Sequence, residues 1–169
     1  MKNFYLRPEN LFVTGLSLMS LTLVLLAIVI GLIFDLQACK LCLYARWPHF
    51  FAILILPLYQ IYEANNYKIF LVSTGALALL ASFLISGYHS GVEKKIWDGP
   101  SNCATSMATE NISVDELLDK ILSTPVIRCD EVTWDFLSLS MANWNTIISL
   151  FLFILWLKVL TNLLFKNPI

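Results

Sequence analysis

Charged side chains are scarce in this chain. They make up 14% of its 169 residues, against about 25% in a typical soluble domain. The shortage excludes an ordinary water-soluble core-and-surface architecture. The formal net charge of −1 decides little by itself, and no nucleic acid is expected as a partner. Other patterns are missing too. No histidine closes the Cys39–Cys42 pair, where Leu43 stands instead, so c-type haem attachment is excluded. No alternation of strands and helices surrounds the pair, which argues against a thioredoxin domain. There is no internal repeat and no low-complexity tract.

The chain has apolar residues in long blocks, at 58% overall. About 20 consecutive apolar residues are enough to cross a bilayer core of about 30 Å, and four blocks meet or approach that length. The expected fold is therefore an all-α integral membrane bundle of four transmembrane helices in a single domain, with spans at about 11–34, 41–62, 69–88 and 144–164. Short and long loops, 35–40 and 89–143, then share one side. Lys2 and Arg7 ahead of an apolar run also suit a signal peptide, but the run from Leu11 to Phe34 is far longer than the usual h-region of about 7–15 residues. LQAC at Leu36–Cys39 faintly resembles a lipoprotein cleavage box, which Asp35 interrupts.

Within the spans, Pro48 is expected in the opening turn of the second helix, where a missing N–H costs little, and Pro57 deeper, as a kink. Gly75, Ala76, Ala78 and Ala81 offer small residues for close packing of the third. In the long loop, Ser113-Val114-Asp115-Glu116 fits a capping box, and Val114, Leu117, Leu118 and Ile121 form one stripe of a short amphipathic helix. That helix suits a place on the membrane surface or against the spans, in contact with lipid. Lys40 and Arg46 hug a membrane edge, and a long loop counts little in the positive-inside rule. The short segments favour both termini in the cytoplasm, with Cys39, Cys42, Cys103 and Cys129 facing an oxidising compartment.

The cysteines admit three readings. Zinc wants four tetrahedral ligands, and Cys39 and Cys42 suit it, but Cys103 and Cys129 are not spaced as a second knuckle. Two inert structural disulfides are the second reading. Redox exchange is the third, and the surroundings of Cys42 favour it. On a helix, Cys39, Cys42 and Arg46 fall at i, i+3 and i+7, on one face. A helix N-terminus and a permanent cation one turn on both favour thiolate over thiol. An arginine inside a span costs about 2.5–3.5 kcal/mol at the centre and less near the edge, so its place on the cysteine face points to function. A snorkelling anchor is the plain alternative. His49 shares that face deeper in the span and reads first as a packed helix residue. His89 ends the third span and by itself reads as an interfacial anchor.

CKLCLYAR, YHSGVEKKIWDGPSNC and IRCDEVTWDFLSLSMANW together resemble the bacterial disulfide bond formation protein B family, over nearly the whole chain. The resemblance implies a protein-dithiol:quinone oxidoreductase of the bacterial inner membrane. It would reoxidise a periplasmic, DsbA-like thiol oxidase and use ubiquinone or menaquinone as cofactor. By motif position, Cys103 would be attacked by the reduced partner, with Cys129 as its bridge partner on an exposed, mobile loop. Electrons would pass to a Cys39–Cys42 disulfide. Cys42 would face the quinone as a thiolate, with Arg46 near a quinone oxygen and His89 lining the same site. Ala38 stands where a proline is frequent in that family, and Ala45 where a glutamate is. A disulfide-stapled scaffold without catalysis and a zinc-binding membrane protein are the rival readings.

Overall fold

The computed structural model describes residues 8–62, 64–100, 103 and 128–166. The four apolar blocks are four long helices: α1 (Pro8–Ile33), α2 (Lys40–Ile61), α3 (Asn65–Glu93) and α4 (Met141–Lys166). A two-stranded antiparallel ribbon, β1 (Asp135–Phe136) and β2 (Leu139–Ser140), precedes α4. All four helices are long and apolar enough to cross a membrane, so the fold is an all-α membrane bundle, as expected. The amphipathic helix expected around residues 113–121 lies outside the described residues.

Each helix buries one stripe at helical spacing. On α1 it is Val13, Leu16, Ser17, Ser20 and Val24; on α4 it is Ser149, Leu152, Trp156, Val159 and Leu163. The matching stripes of α2 and α3 run through Ala45, His49, Ala52, Ile55 and Tyr59, and through Val72, Ala76, Leu79, Ser82 and Ser86. The outward faces are also apolar, with Leu26, Phe51, Leu54, Leu77, Leu84, Phe151 and Ile154 exposed. A helix that is apolar all round belongs in the core of a large protein or in a membrane, and exposed apolar faces on helices of this length fit the membrane. Pro48 and Pro57 both lie inside α2. The helix opens at Lys40, which puts Pro48 in the third turn and not in the first as expected. There Ser82 of α3 donates to the Ala45 carbonyl at 3.0 Å, beside the disturbed turn. Neighbouring hydroxyls of this kind are what make an interior proline tolerable in a bilayer.

Gly75 lets α3 and α4 meet. A Cβ there would lie 2.5 Å from the Trp156 ring, which is fully buried.

The ends of α3 and α4 set up the functional region. After Lys94, Lys95 takes a left-handed φ of 56°, and Ile96 and Lys95 donate to the Gly91 and Val92 carbonyls at 2.9 and 3.0 Å. This is a Schellman closure with lysine where glycine is usual. It turns the chain back so that Trp97 lies on Gly91, where any Cβ would overlap its indole. Trp97 also stacks on Tyr88 and donates to the Tyr88 carbonyl at 2.8 Å. At the other junction Ser140 caps α4, its Oγ accepting from the Asn143 amide at 3.2 Å. The ribbon ahead of it turns through Leu137 and Ser138, both at positive φ, the conformation of a two-residue type I′ turn.

Gly75→Leu is expected to lower stability by about 1–3 kcal/mol through overpacking. Gly15→Ala, at a position with nothing within 4 Å, leaves it unchanged. Thermal unfolding of the two variants in detergent reads the difference directly.

Candidate functional site

Cys39 is the N-cap of α2. Its backbone is extended, and its Sγ accepts the Cys42 amide N–H at 3.3 Å, one of the orphan donors that every helix start carries. The anion-favouring helix end therefore serves Cys39 directly, whereas the sequence pattern had pointed to Cys42. Cys42 sits one turn in, partly buried, on the same face as Arg46 and His49.

His89, on the last turns of α3, joins the two sulfurs. Its Nε2 lies 3.5 Å from Cys39 Sγ and its Nδ1 3.8 Å from Cys42 Sγ. The ring is 3% exposed, so it is part of the site and not a surface anchor. Cys39, just outside the span, has its thiol held well below the ordinary value, chiefly by the hydrogen bond from the Cys42 thiol. Burial opposes this, and a hydrogen bond from His89 reinforces it.

Glu93 is a member of the site that the sequence reading missed. It stands one turn beyond His89, with Oε1 3.7 Å from Nε2, and its other oxygen accepts from Ser140 Oγ. Asn143 Nδ2 donates to the same Ser140 hydroxyl at 2.9 Å, and Ser90 donates to Asn143 Oδ1 at 2.5 Å. The i, i+4 pairing of His89 and Glu93 was visible in HSGVE. Their link to the cap of α4 was not.

Cys103 and Cys129 form a disulfide, as the resemblance implied, while Cys39 and Cys42 are free thiols. The bridge withdraws two donors from any four-cysteine zinc set. Cys39, Cys42 and His89 remain close enough to chelate, with their donor atoms within 4.8 Å of one another. Both pairs pack in one buried cluster with Leu41 and Val92. The bridge is not on an exposed surface as expected: Cys103 is 8% and Cys129 2% exposed. A groove of about 480 Å³ bounded by Lys95, Trp97, Pro100, Arg128 and Asp130 leads to it. Beside Cys129, Arg128 donates to both oxygens of Asp130 at 2.9 and 2.6 Å.

On the membrane side of His89 is a cavity of about 290 Å³. Its walls are mostly aliphatic and aromatic, including Leu26 and Ile30 of α1 and Trp134, Phe136 and Trp144 near the ribbon. Its polar groups are Cys42, Arg46, His49, Ser86, His89 and Asn145. Arg46 makes no hydrogen bond or ion pair among the described residues, so its donors are available to an occupant. An apolar cleft with a few convergent polar groups is the usual form of a small-molecule site, and a lipophilic ring bearing carbonyl oxygens fits this one. His49 is more than packing. It is 2% exposed, and its Nε2 lies 3.2 Å from Asn145 Oδ1, 3.1 Å from Ser82 Oγ and 3.3 Å from Ser149 Oγ.

Among protein families, the model for the disulfide bond formation protein DsbB matches residues 9–159. An uncharacterized protein of Rickettsia prowazekii (strain Madrid E) is 27% identical over 154 residues, covering 89% of this chain and 88% of that one. No solved structure matches the chain.

Ultraviolet thiolate absorbance of the reduced protein is expected to show one thiol ionising below the ordinary thiol range. A depressed value means that the anion persists above it and is lost only as pH falls through it. Cys42→Ala, which removes the largest cause, moves the remaining titration upward; His89→Ala moves it less. An unshifted titration in the unmutated protein counts against the geometry.

Proposed function

The chain belongs to the disulfide bond formation protein DsbB family, and from that footing we propose that it is a protein-dithiol:quinone oxidoreductase of a bacterial inner membrane. Its cysteine end faces the periplasm and both termini face the cytoplasm. Its substrate is a reduced thiol oxidase of thioredoxin fold, and its acceptor is ubiquinone or menaquinone. The observation that carries the reading is the placement of His89. One imidazole touches both free thiols, between a buried disulfide on one side and an apolar, arginine-bearing cavity on the other.

The chemistry runs in two exchanges and one transfer. A thiolate of the reduced partner attacks Cys103 Sγ through the groove. The Cys103–Cys129 bond breaks, and the partner's second thiol completes its own disulfide. The two thiols left on the loop then exchange with a Cys39–Cys42 disulfide, which the shared cluster brings within reach. While Cys39 is held in a bond to a loop cysteine, it cannot carry charge. The anion then falls to Cys42, on the face that Arg46 shares. When Cys42 then displaces the loop cysteine and the Cys39–Cys42 bond re-forms, a quinone held in the cavity would supply the acceptor for the two electrons and two protons released. Arg46 presents fixed donors to the oxygen where negative charge grows, at no reorganisation cost during transfer. His89, with Glu93 behind it, takes the thiol protons. Each 30 mV of potential difference corresponds to about 1.4 kcal/mol, so a strongly oxidising dithiol needs an acceptor above it. A lipid-soluble acceptor explains why the site lies at a bilayer edge.

Purified protein given a reduced dithiol partner and a short-chain quinone is expected to bleach the quinone absorbance. Cys42→Ser abolishes the bleaching, whereas a stapled scaffold keeps its function with that change. Stoichiometric zinc on Cys39, Cys42 and His89, with no reducible disulfide, favours the metal reading instead.

Arg46→Ala is expected to raise the KM for quinone about tenfold, the worth of one charge-assisted hydrogen bond of about 1.5 kcal/mol. Exchange with the dithiol partner changes little. Rapid-mixing measurements of the separated half-reactions decide it, and equal losses in both defeat the assignment of Arg46.

A further inference from the structure

On the loop side of the cysteine pair is a second, smaller pocket of about 30 Å³. Cys39, Cys42, His89 and Glu93 line it, and its lining also includes the exposed residues Gln37 and Glu131, which give an ion a way in. Space of that size holds a water or two, or a single ion. Three of the lining residues stand at chelating distance, the donor atoms of Cys39, Cys42 and His89 lying within 4.8 Å of one another. A tetrahedral ion with bonds of about 2.3 Å to sulfur and about 2.0 Å to nitrogen sets its donors about 3.5–3.8 Å apart. Cys39 Sγ lies 3.5 Å from His89 Nε2, and Cys42 Sγ 3.8 Å from Nδ1. One ion takes one imidazole nitrogen. Nε2 is the better placed, because it faces Glu93 Oε1 at 3.7 Å as well as Cys39. The Cys42 sulfur then has only to turn from one ring nitrogen toward the other. The second oxygen of Glu93 accepts from Ser140, to which Asn143 donates at 2.9 Å, and outer partners of this kind orient metal ligands.

We propose that the reduced protein binds one thiophilic divalent cation of the zinc type through Cys39, Cys42, His89 and Glu93, and that the bound ion blocks reoxidation of the cysteine pair. Charge favours the site as well as distance. Two thiolates and a carboxylate bring three negative charges, which the dication and the Arg46 guanidinium on the same pocket wall balance. Arg128, the other cation of the lining, is already engaged by Asp130 and Glu131. The ion displaces two thiol protons to solvent, and no electrons move, since zinc has no redox chemistry. With both sulfurs and the imidazole nitrogen bound, Cys42 cannot displace a loop cysteine and His89 cannot take a proton. When the pair is a disulfide its thiolate ligands are gone and the ion is released. The same two sulfurs therefore alternate between a bridge and an ion, unlike a resident zinc centre that never holds a reducible disulfide. The binding stands on the geometry alone; the block on turnover rests on the quinone reading above.

The test uses full-length protein in detergent, with cobalt(II) as the spectroscopic probe and zinc as its competitor. Reduced protein is expected to bind one equivalent of cobalt with thiolate-to-metal charge-transfer absorption and tetrahedral ligand-field bands, and zinc displaces it. Oxidised protein shows neither band. The double variant Cys103→Ser, Cys129→Ser keeps the spectrum, because the loop thiols are not ligands. Cys42→Ser and His89→Ala each weaken binding by about 100-fold or more, and Glu93→Gln by about tenfold. Rapid mixing of pre-reduced protein with a short-chain quinone, with no dithiol partner present, reads the block: one equivalent of zinc abolishes the bleaching, and a chelator restores it. A spectrum without thiolate bands, one retained in Cys42→Ser, or one lost with the loop cysteines overturns the site. Bleaching undiminished by bound zinc overturns the block. Cobalt bound as expected, with no bleaching in metal-free buffer, overturns the quinone reading and leaves the ion site standing.

Discussion

A polar side chain inside hydrocarbon has to find its partner on another helix, and this bundle is assembled around that requirement. Water is absent there, so each unsatisfied group costs several kcal/mol. The bonds themselves add little: interhelical hydrogen bonds in membranes are worth about 0.6–2 kcal/mol. Their effect is to fix register. Ser17 of α1 reaches the Ala52 carbonyl of α2 at 3.2 Å. Ser82 of α3 reaches α2 through Ala45 and α4 through Ser149, at 3.0 Å in each case. A slide of any helix by one residue breaks these links at once, while the aliphatic contacts around them readjust. Packing supplies the cohesion, and the hydroxyls choose one arrangement out of many.

The same logic positions the sulfurs. Cys39 is held by the start of α2, and His89 by the end of α3. Glu93 and Ser140 tie that end to the cap of α4. Close approach of α3 and α4 along their length depends on Gly75 meeting Trp156. The geometry at the membrane edge is thus inherited from a contact near the middle of the bundle. Ala45 belongs to this arrangement as well. It is 4% exposed, and a larger side chain there would crowd the approach of Ser82 to the Ala45 carbonyl.

Much of this was legible in the sequence because membrane helices advertise themselves by length. The shared face of Cys39, Cys42 and Arg46 followed from helical periodicity alone. What escaped detection depends on contacts remote along the chain. His49 finds Asn145, Ser82 and Ser149 at separations of 96, 33 and 100 residues, so from its own helix it reads as a packed side chain. CxxC at a helix start does not say which sulfur will cap, and the structure chooses Cys39. The ribbon was invisible because its turn uses Leu137 and Ser138 at positive φ instead of the Asn-Gly or Asp-Gly that marks such turns. The disulfide was expected to be exposed because exchange with a partner needs an accessible bridge on a mobile loop. It is buried because Val92 and Leu41 close over it.

Oxidising a dithiol with a lipid-borne acceptor sends electrons one way and protons, in part, another. On the function proposed above, the charges around His89 suit that separation. Arg46 lies on the membrane side, in a cavity lined by no carboxylate among the described residues. Glu93 lies on the loop side, hydrogen-bonded toward the end of the bundle. Imidazole Nδ1 faces Cys42, the sulfur that borders the cavity, and Nε2 faces both Cys39 and Glu93. A proton accepted from either thiol is drawn toward the carboxylate and away from the guanidinium, while negative charge on Cys42 is drawn the opposite way. Were the acid on the cavity side, it would repel the electron-rich sulfur. The order Arg46, Cys42, His89, Glu93 therefore does more than gather reactive groups: under the proposed function it would give the site a direction, with the cysteine pair at the point where the two paths divide.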